Sequence, residues 1–288
     1  MEKDTLYVSD LDGTLLTNLA CLSDYSRREL QGLLADGVAL SVASARSVAS
    51  MQHILRGVDL KLPIIEFNGA FLSDLKSGRH EVVNAIEADL ASDLYHLAIR
   101  FGSSPFVSTF SGTEDCLYYC DVINDGMRWY VDDRTRHQDR RLRKETDLTS
   151  ALREQVVCLT CIAEARLLRA LAATIDDRYG PGLEFHLFEN QYSPGWHWLT
   201  LHDRKASKDQ AVRALMEMAG LNGNELVVFG DQTNDLKMFR IATEAVAVAN
   251  ATPEVIAEAT RVIGTNEDDS VVKYITQHRR NRVGGNIP

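Results

Sequence analysis

The stretch YVSDLDGTLL, residues 7–16, sets Asp10 and Asp12 two positions apart at the end of a short apolar run. Carboxylates held that close raise each other's pKa unless a cation lies between them or one keeps its proton. Along an extended segment residues i and i+2 point the same way, so both side chains are expected to address one point in space. Gly13 lets the backbone turn sharply, and Thr14 can hydrogen-bond that turn. A plain strand-end turn with capping residues uses the same residue types, and other parts of the chain have to decide.

VVFGDQTND, residues 227–235, repeats the arrangement: an apolar strand ends in Gly230 and Asp231, and Asn234 and Asp235 follow on the first turn of a helix. Asp231 and Asp235 are four apart and share a face there. Two acidic clusters at strand ends are most simply explained by a hard cation with oxygen ligands, and Mg²⁺ suits them best. SVASARS, residues 41–47, ends another strand with Ser44, whose hydroxyl and following amides can donate to an anion. In RKASKDQAV, residues 204–212, Ser207 and Gln210 have capping-box spacing, which puts Lys208 on the first turn of a helix backed by Ala211, Leu215 and Met218. Lys208 reads either as a site residue or as a solvated surface group, and Lys205 as the surface one.

These groups need strands to carry them. TLYVSD, SDYSRRELQGLLADG, VALSVAS, RSVASMQHILRGV and LPIIEFNGA alternate strand and helix patterns, and the alternation resumes over KDQAVRALMEMAG, NELVVFGD, NDLKMFRIA, AVAVAN, TPEVIAEA and RVIGT. Such alternation predicts an α/β fold with a doubly wound parallel sheet, whose ligands sit beyond the carboxyl ends of the strands. The texture changes over residues 78–192, where two helices and several strands without glycine-rich strand ends predict a separate α+β unit inserted into a core of residues 1–77 and 193–288. Its edges are expected in SDLKSGRH and ENQYSPGWH, both rich in turn residues, and RRNRVGGNIP reads as a loosely held tail.

Composition narrows the function classes. A chain of 288 residues with 45% hydrophobic and 25% charged residues reads as soluble and globular. No stretch approaches a membrane span, and MEKDTLYVSD lacks the basic start and apolar middle of a secretory signal, so the cytoplasm is the expected compartment and no membrane partner is expected. A net charge of -10 argues against nucleic acid as a partner, and an anionic substrate would need strong local positive charge. The one basic run, RTRHQDRRLRK at 134–144, reads as a solvated helix or loop face, or as a steering patch for such a substrate. The five cysteines argue against a disulfide framework, and CLTC at 158–161 reads as ordinary strand residues rather than a redox or zinc pair.

DLDGT, SAR after an apolar strand, Lys208 in SKDQA, and GDQTND resemble the four ordered motifs of the haloacid dehalogenase superfamily of phosphohydrolases. The insertion, with EFNGA at 66–70 and VANATPEV at 248–255, is similar to the Cof-type branch, which carries a large α/β cap on a Rossmann-like core. The resemblance implies that Asp10 is the nucleophile forming an aspartyl-phosphate, while Asp12 protonates the leaving alcohol and then activates water. It implies Mg²⁺ held by Asp10, the Asp12 carbonyl and Asp231, with Asp235 holding metal-bound water or orienting Lys208. Ser44, Lys208 and Asn234 would grip the phosphoryl oxygens, with the amides of Leu11 and Ala45 as further donors. Ser44 and Ala45 stand where threonine and glycine are usual; serine keeps the hydroxyl, and alanine restricts the backbone.

Asn68 and Gly69 read either as a simple turn or as a contact to substrate or hinge, and Asn250 as a helix-entry residue ahead of Thr252 and Pro253. The activity so implied is Mg²⁺-dependent hydrolysis of a small phosphorylated metabolite, a sugar phosphate or a nucleotide-like cofactor. A phosphotransferase or phosphomutase is the enzymatic rival, and a receiver-like phosphate-binding module the non-catalytic one. Tyr118, Tyr119, Arg128, Trp129 and His186 are the specificity candidates in the insertion, and no residue pattern assigns an oligomeric state.

Overall fold

The computed structural model describes residues 5–190 and 193–284; residues 1–4, 191–192 and 285–288, the last with the end of the expected loose tail, lie outside them. The first strand, β1 (Thr5–Ser9), is apolar on both faces, with Leu6, Tyr7 and Val8 buried. After a tight turn over Leu11–Leu15, α1 (Asp24–Ala35) starts at Ser23, whose hydroxyl accepts the Ser26 amide. Leu30, Leu33 and Leu34 are its buried stripe. β2 (Ala39–Val42) and α2 (Val48–Ile54) repeat the unit. β3 (Ile64–Glu66), β4 (Phe71–Ser73) and β5 (His80–Val83) form a small sheet in that order, tied to the end of β2 by a parallel bridge from Ala43 to Ile65. SDLKSGRH is the turn between β4 and β5.

Val83–Ala206 forms its own compact unit. Its elements are α3 (Ala88–Arg100), β6 (Phe106–Phe110), β7 (Asp115–Tyr119), α4 (Asp125–Arg136), β8 (Leu142–Lys144), β9 (Gln155–Ala163), α5 (Ala165–Tyr179), β10 (Leu183–Glu189) and β11 (His197–Asp203). The strands order as β10-β11-β9-β6-β7-β8, antiparallel except for the β7–β8 pair. Residues alternate between the two faces. Leu159, Cys161 and Leu199 pack with Leu94 of α3 and Leu171 of α5, whereas Ile162, Trp198 and Phe106 pack with Met127 of α4.

Two expectations change here. The unit has three helices rather than two, because α4 is stabilised by its cap: the Asn124 side chain accepts the Met127 amide at 2.8 Å. The insertion also runs beyond residue 192, to Ala206, since the strands on either side of the expected edge pair with each other. Asn190 N donates to Trp196 O at 3.0 Å, and β10 pairs with β11 from Leu183↔Asp203 to Glu189↔His197. Turn residues serve hairpins and linkers alike, so composition alone could not separate the two.

The chain then returns to the first unit through α6 (Lys208–Met218), β12 (Glu225–Gly230), α7 (Leu236–Phe239), β13 (Glu244–Ala247), α8 (Pro253–Glu258), β14 (Arg261–Val262) and α9 (Ser270–Gly284). Its parallel sheet has the order β14-β13-β12-β1-β2. The sequence moves outward from β1 to β2 on one side and later fills the other side, so a crevice opens at the carboxyl ends of β1 and β12. Register fixes what meets there: Ser9 pairs with both Phe229 and Val42, so Asp10, Asp231 and Ser44 lie just past three adjacent strand ends.

The segment from Arg279, expected as a loose tail, continues α9 to Gly284; Arg279 pairs with Asp36 at 2.8 Å and Arg282 with Glu225. Met218 is not part of the buried stripe of α6, being 47% exposed at its last turn, whereas Ala211 and Leu215 are buried as expected. Among the described residues no helix is long and apolar enough to cross a membrane.

Candidate active site

Asp10 leaves β1 with its amide donating to Phe229 O at 3.0 Å, and the residue is buried, 7% exposed. Lys208, at the start of α6, is fully buried and its Nζ donates to Asp10 Oδ1 at 2.5 Å and to Asp235 Oδ1 at 2.6 Å. The same Asp235 accepts the amides of Asp231 and Gln232 through Oδ2, at 2.9 and 3.1 Å. Asp231 in turn accepts from the Thr14 hydroxyl at 2.7 Å and from Gln232 Nε2 at 3.1 Å. Oxygens of Asp10, Asp231 and Asp235 thus lie within 4.8 Å of one another, all three side chains buried.

The electrostatics follow from that crowding. Burial, then repulsion from Asp235 and Asp231, outweighs the pull of Lys208 and holds the Asp10 carboxyl well above the usual carboxylate range. Burial and Asp235 push Asp231 up to about 6. Lys208 is held above the ordinary lysine value because the two carboxylates outweigh its burial. The expectation that Lys208 could be a solvated surface group is set aside; Lys205 is the exposed one.

Gly13 is indispensable to this packing. It sits at φ +75°, and a Cβ there would lie 2.5 Å from Asp231 Oδ2. Ser207 does precede the helix, but the expected capping box is absent: its hydroxyl donates to Asp209 Oδ1 at 2.6 Å instead. The hydroxyl is turned toward that carboxylate, and its oxygen accepts no helix amide.

Asp12 departs from the expectation that both aspartates point to one place. Its carboxylate receives Arg46 Nε and one terminal guanidinium nitrogen, both at 2.6 Å, and among the described residues the three-carboxylate cluster does not include it. The turn at Gly13 intervenes, and the repulsion between the pair is relieved by separate cations, Lys208 for one and Arg46 for the other. Arg46 stood in the SARS motif without an assigned role; a lone arginine near a strand end gives no signal of its partner. Ser44 is buried, with its hydroxyl accepting the Arg46 amide at 3.2 Å. Ala45 keeps a negative φ, so alanine meets no backbone penalty there.

Asn234 Nδ2 donates to Asn68 Oδ1 at 3.1 Å. Asn250 does more than lead into α8, since its side chain donates to Gly13 O at 2.7 Å and accepts the Asn266 amide at 2.9 Å, clamping the turn that follows β1.

Groups outside this site are quieter. Cys158 and His202 approach to 3.7 Å, but burial raises the thiol to about 12 and lowers the imidazole to about 4, so they form no nucleophilic pair. Arg141 in the basic run is paired with Asp139 at 2.6 Å, and Arg134 lies over Tyr130, so the run is not a uniformly solvated face. Of the specificity candidates, Tyr119 is buried in a core cluster, Trp129 packs edge-on against Trp198, and Arg128 is exposed beside Asp125. The Tyr118 hydroxyl donates to Glu154 at 3.1 Å, and His186 lies 3.7 Å from Glu184.

Comparison with known proteins bears on this geometry. The haloacid dehalogenase-like hydrolase family matches residues 7–275. A 5-amino-6-(5-phospho-D-ribitylamino)uracil phosphatase of Bacillus subtilis, YitU, is 24% identical over 96% of this chain and 98% of its own. The pyridoxal phosphate phosphatase YbhA of Escherichia coli is 27% identical over 93% of this chain and 96% of its own. Among solved structures, a haloacid dehalogenase-like hydrolase from Bacteroides thetaiotaomicron superposes with a TM-score of 0.77 at 23% identity, covering 96% of this chain and 100% of that one. A parallel sheet with acidic groups at its carboxyl edge and an additional antiparallel unit defines a class of α/β hydrolases. This chain belongs to the haloacid dehalogenase-like hydrolases and is an enzyme of their phosphatase kind. The receiver-like binding module is thereby set aside.

Proposed function

We propose that the enzyme is a Mg²⁺-dependent phosphatase of small phosphorylated metabolites, a sugar phosphate or a nucleotide-like cofactor, working through an aspartyl-phosphate on Asp10. The observation that carries this reading is the buried ammonium of Lys208 bridging Asp10 and Asp235 beside Asp231. Three carboxylates face one ammonium, a deficit of positive charge that a divalent cation matches, and the donor set is all oxygen, as Mg²⁺ prefers. Asp10, Asp231, the Asp12 carbonyl and Asp235 would hold the ion. When bound it would neutralise charge on the phosphoryl oxygens.

The chain's own residues do the remaining chemistry. An Asp10 carboxylate oxygen attacks phosphorus as the ester P–O bond breaks, and Asp12, once one of its oxygens has left the Arg46 fork and taken up a proton, delivers that proton to the departing alkoxide. Asp12 then takes a proton from water, whose oxygen attacks phosphorus and releases Asp10 with inorganic phosphate. Lys208, Ser44 and Asn234, with the Leu11 and Ala45 amides, hold the phosphoryl oxygens in place. Arg46 holds both Asp12 oxygens before the reaction and has to release one of them for the acid role, keeping the other to orient the carboxyl. The antiparallel unit, with Tyr118 and His186 among its candidates, is the part that selects the substrate. Five free cysteines suit a reducing compartment, which supports work in the cytoplasm.

Phosphate release from a panel of phosphorylated metabolites, with and without Mg²⁺, tests the activity. Release in step with ester loss is expected, whereas ester conversion without free phosphate would favour a phosphotransferase or phosphomutase. A second test reads the ion directly. Because Asp231 is raised to about 6 in the folded protein, stability falls as pH climbs from the ordinary carboxylate range through 6, and the ionised group above that pH is what a cation relieves. Saturating Mg²⁺ is expected to raise the thermal midpoint by about 5 °C at pH 7.5 and by clearly less at pH 5, where the proton competes. An equal shift at both values, or none, would count against the ligand set.

A further inference from the structure

Residues 65–69, IEFNG, border three parts of the proposed phosphoryl grip: the Ser44 loop, Asn234 and the residue before Lys208. Ser44 N donates to Ile65 O and Asn68 N to Ser44 O, both at 2.9 Å, and Phe67 N donates to Arg46 O at 3.2 Å, so the segment is zipped onto the loop that carries Ser44. The fully buried Glu66 carboxylate accepts the Val48 amide at the start of α2 and the Ser73 hydroxyl, which anchors that loop's far end. Asn68, 3% exposed, accepts from Asn234 at 3.1 Å. Gly69 backs onto the residue before Lys208: a Cβ on it would lie 2.6 Å from Ser207 O and 2.9 Å from Ser207 N.

The backbone is unusual over the same residues. Phe67, Asn68 and Gly69 have φ of 45°, 56° and 120°, three left-handed residues in succession. Such conformations persist only where their surroundings over-determine them, and they gather at functional sites. Here the surroundings are the Ser44 loop on one side and the start of the Lys208 helix on the other.

We propose that Asn68 is a positioning residue, neither a simple turn residue nor a substrate contact, whose amide oxygen holds Asn234 in place while the 67–69 turn sets the separation of the Ser44 loop from α6. The proposal rests on the reading above that Ser44, Lys208 and Asn234 bind the phosphoryl group. Asn68→Gly is the informative variant, because glycine accepts the left-handed backbone without strain and removes only the amide. In a double-mutant cycle with Asn234→Ala, using Mg²⁺-dependent hydrolysis of p-nitrophenyl phosphate, Asn68→Gly is expected to lower kcat/KM about tenfold. Inhibition by orthovanadate should weaken by a similar factor, with the thermal midpoint within about 2 °C of the parent. The double variant should lose no more than Asn234→Ala alone.

Multiplying losses in the double variant overturn the proposal, as does an Asn68→Gly enzyme with unchanged kcat/KM and vanadate inhibition. If the parent protein hydrolyses no ester, the phosphatase reading fails on its own account. The positioning role is then judged by a crystal structure of Asn68→Gly: an Asn234 amide displaced from its place supports it, and one that stays put overturns it.

Discussion

Asp10→Asn is expected to abolish phosphate release, lowering kcat by about 10⁴-fold or more, as removal of a catalytic nucleophile does elsewhere. The substitution keeps the size of the side chain and an oxygen that can still accept from Lys208, so the fold should survive. It should in fact be more stable, because the carboxylate it replaces is buried beside Asp231 and Asp235 and held well above its usual pKa. Chemical denaturation alongside kinetics checks both halves. An Asp10→Asn protein that still turns over substrate, or that cannot fold, would show that Asp10 serves the scaffold rather than the reaction.

Lys208→Met should fail in the opposite sense, losing both activity and stability. The ammonium is buried between two carboxylates at 2.5 and 2.6 Å. Methionine fills similar space but leaves those charges facing each other. Breaking a buried pair by removing one partner costs about 3–5 kcal/mol, and the loss should be smaller at acidic pH, where the carboxylates can take up protons instead. Urea unfolding at pH 7.5 and pH 5 reads the difference. A loss of the same size at both values would assign the lysine a packing role alone. The two variants together separate a group that reacts from a group that balances charge.

The residues of the acidic cluster and its neighbour Ser44 were legible as candidates because most of them lie at strand ends. A parallel sheet announces itself through apolar runs such as LYVS and LVVF, and whatever polar residue follows each run falls on one edge of the sheet. Asp10, Ser44 and Asp231 were found in that way, and the register from Ser9 to Phe229 and Val42 explains why it works. Partnerships across the sheet were not legible. Arg46 meeting Asp12, Asn68 meeting Asn234 and Asn250 meeting the Gly13 carbonyl depend on how loops fold back, and no local spacing encodes it. Capping also misled once, at Ser207, whose hydroxyl turns to donate to the neighbouring Asp209 and accepts no helix amide. The unit boundary was missed because a hairpin and a linker use the same turn residues.

The antiparallel unit is one unbroken run, Val83–Ala206, with hydrophobic clusters of its own, while the parallel-sheet unit is assembled from the residues on either side of it. Mutations in that middle run can therefore drift, lengthen a loop or swap an aromatic residue without disturbing the strands that align Asp10 with Asp231. On the proposed reading, diversification of what is recognised is thus uncoupled from preservation of how the bond is cut, and descendants of one such gene could explore new metabolites while inheriting the same strand edge.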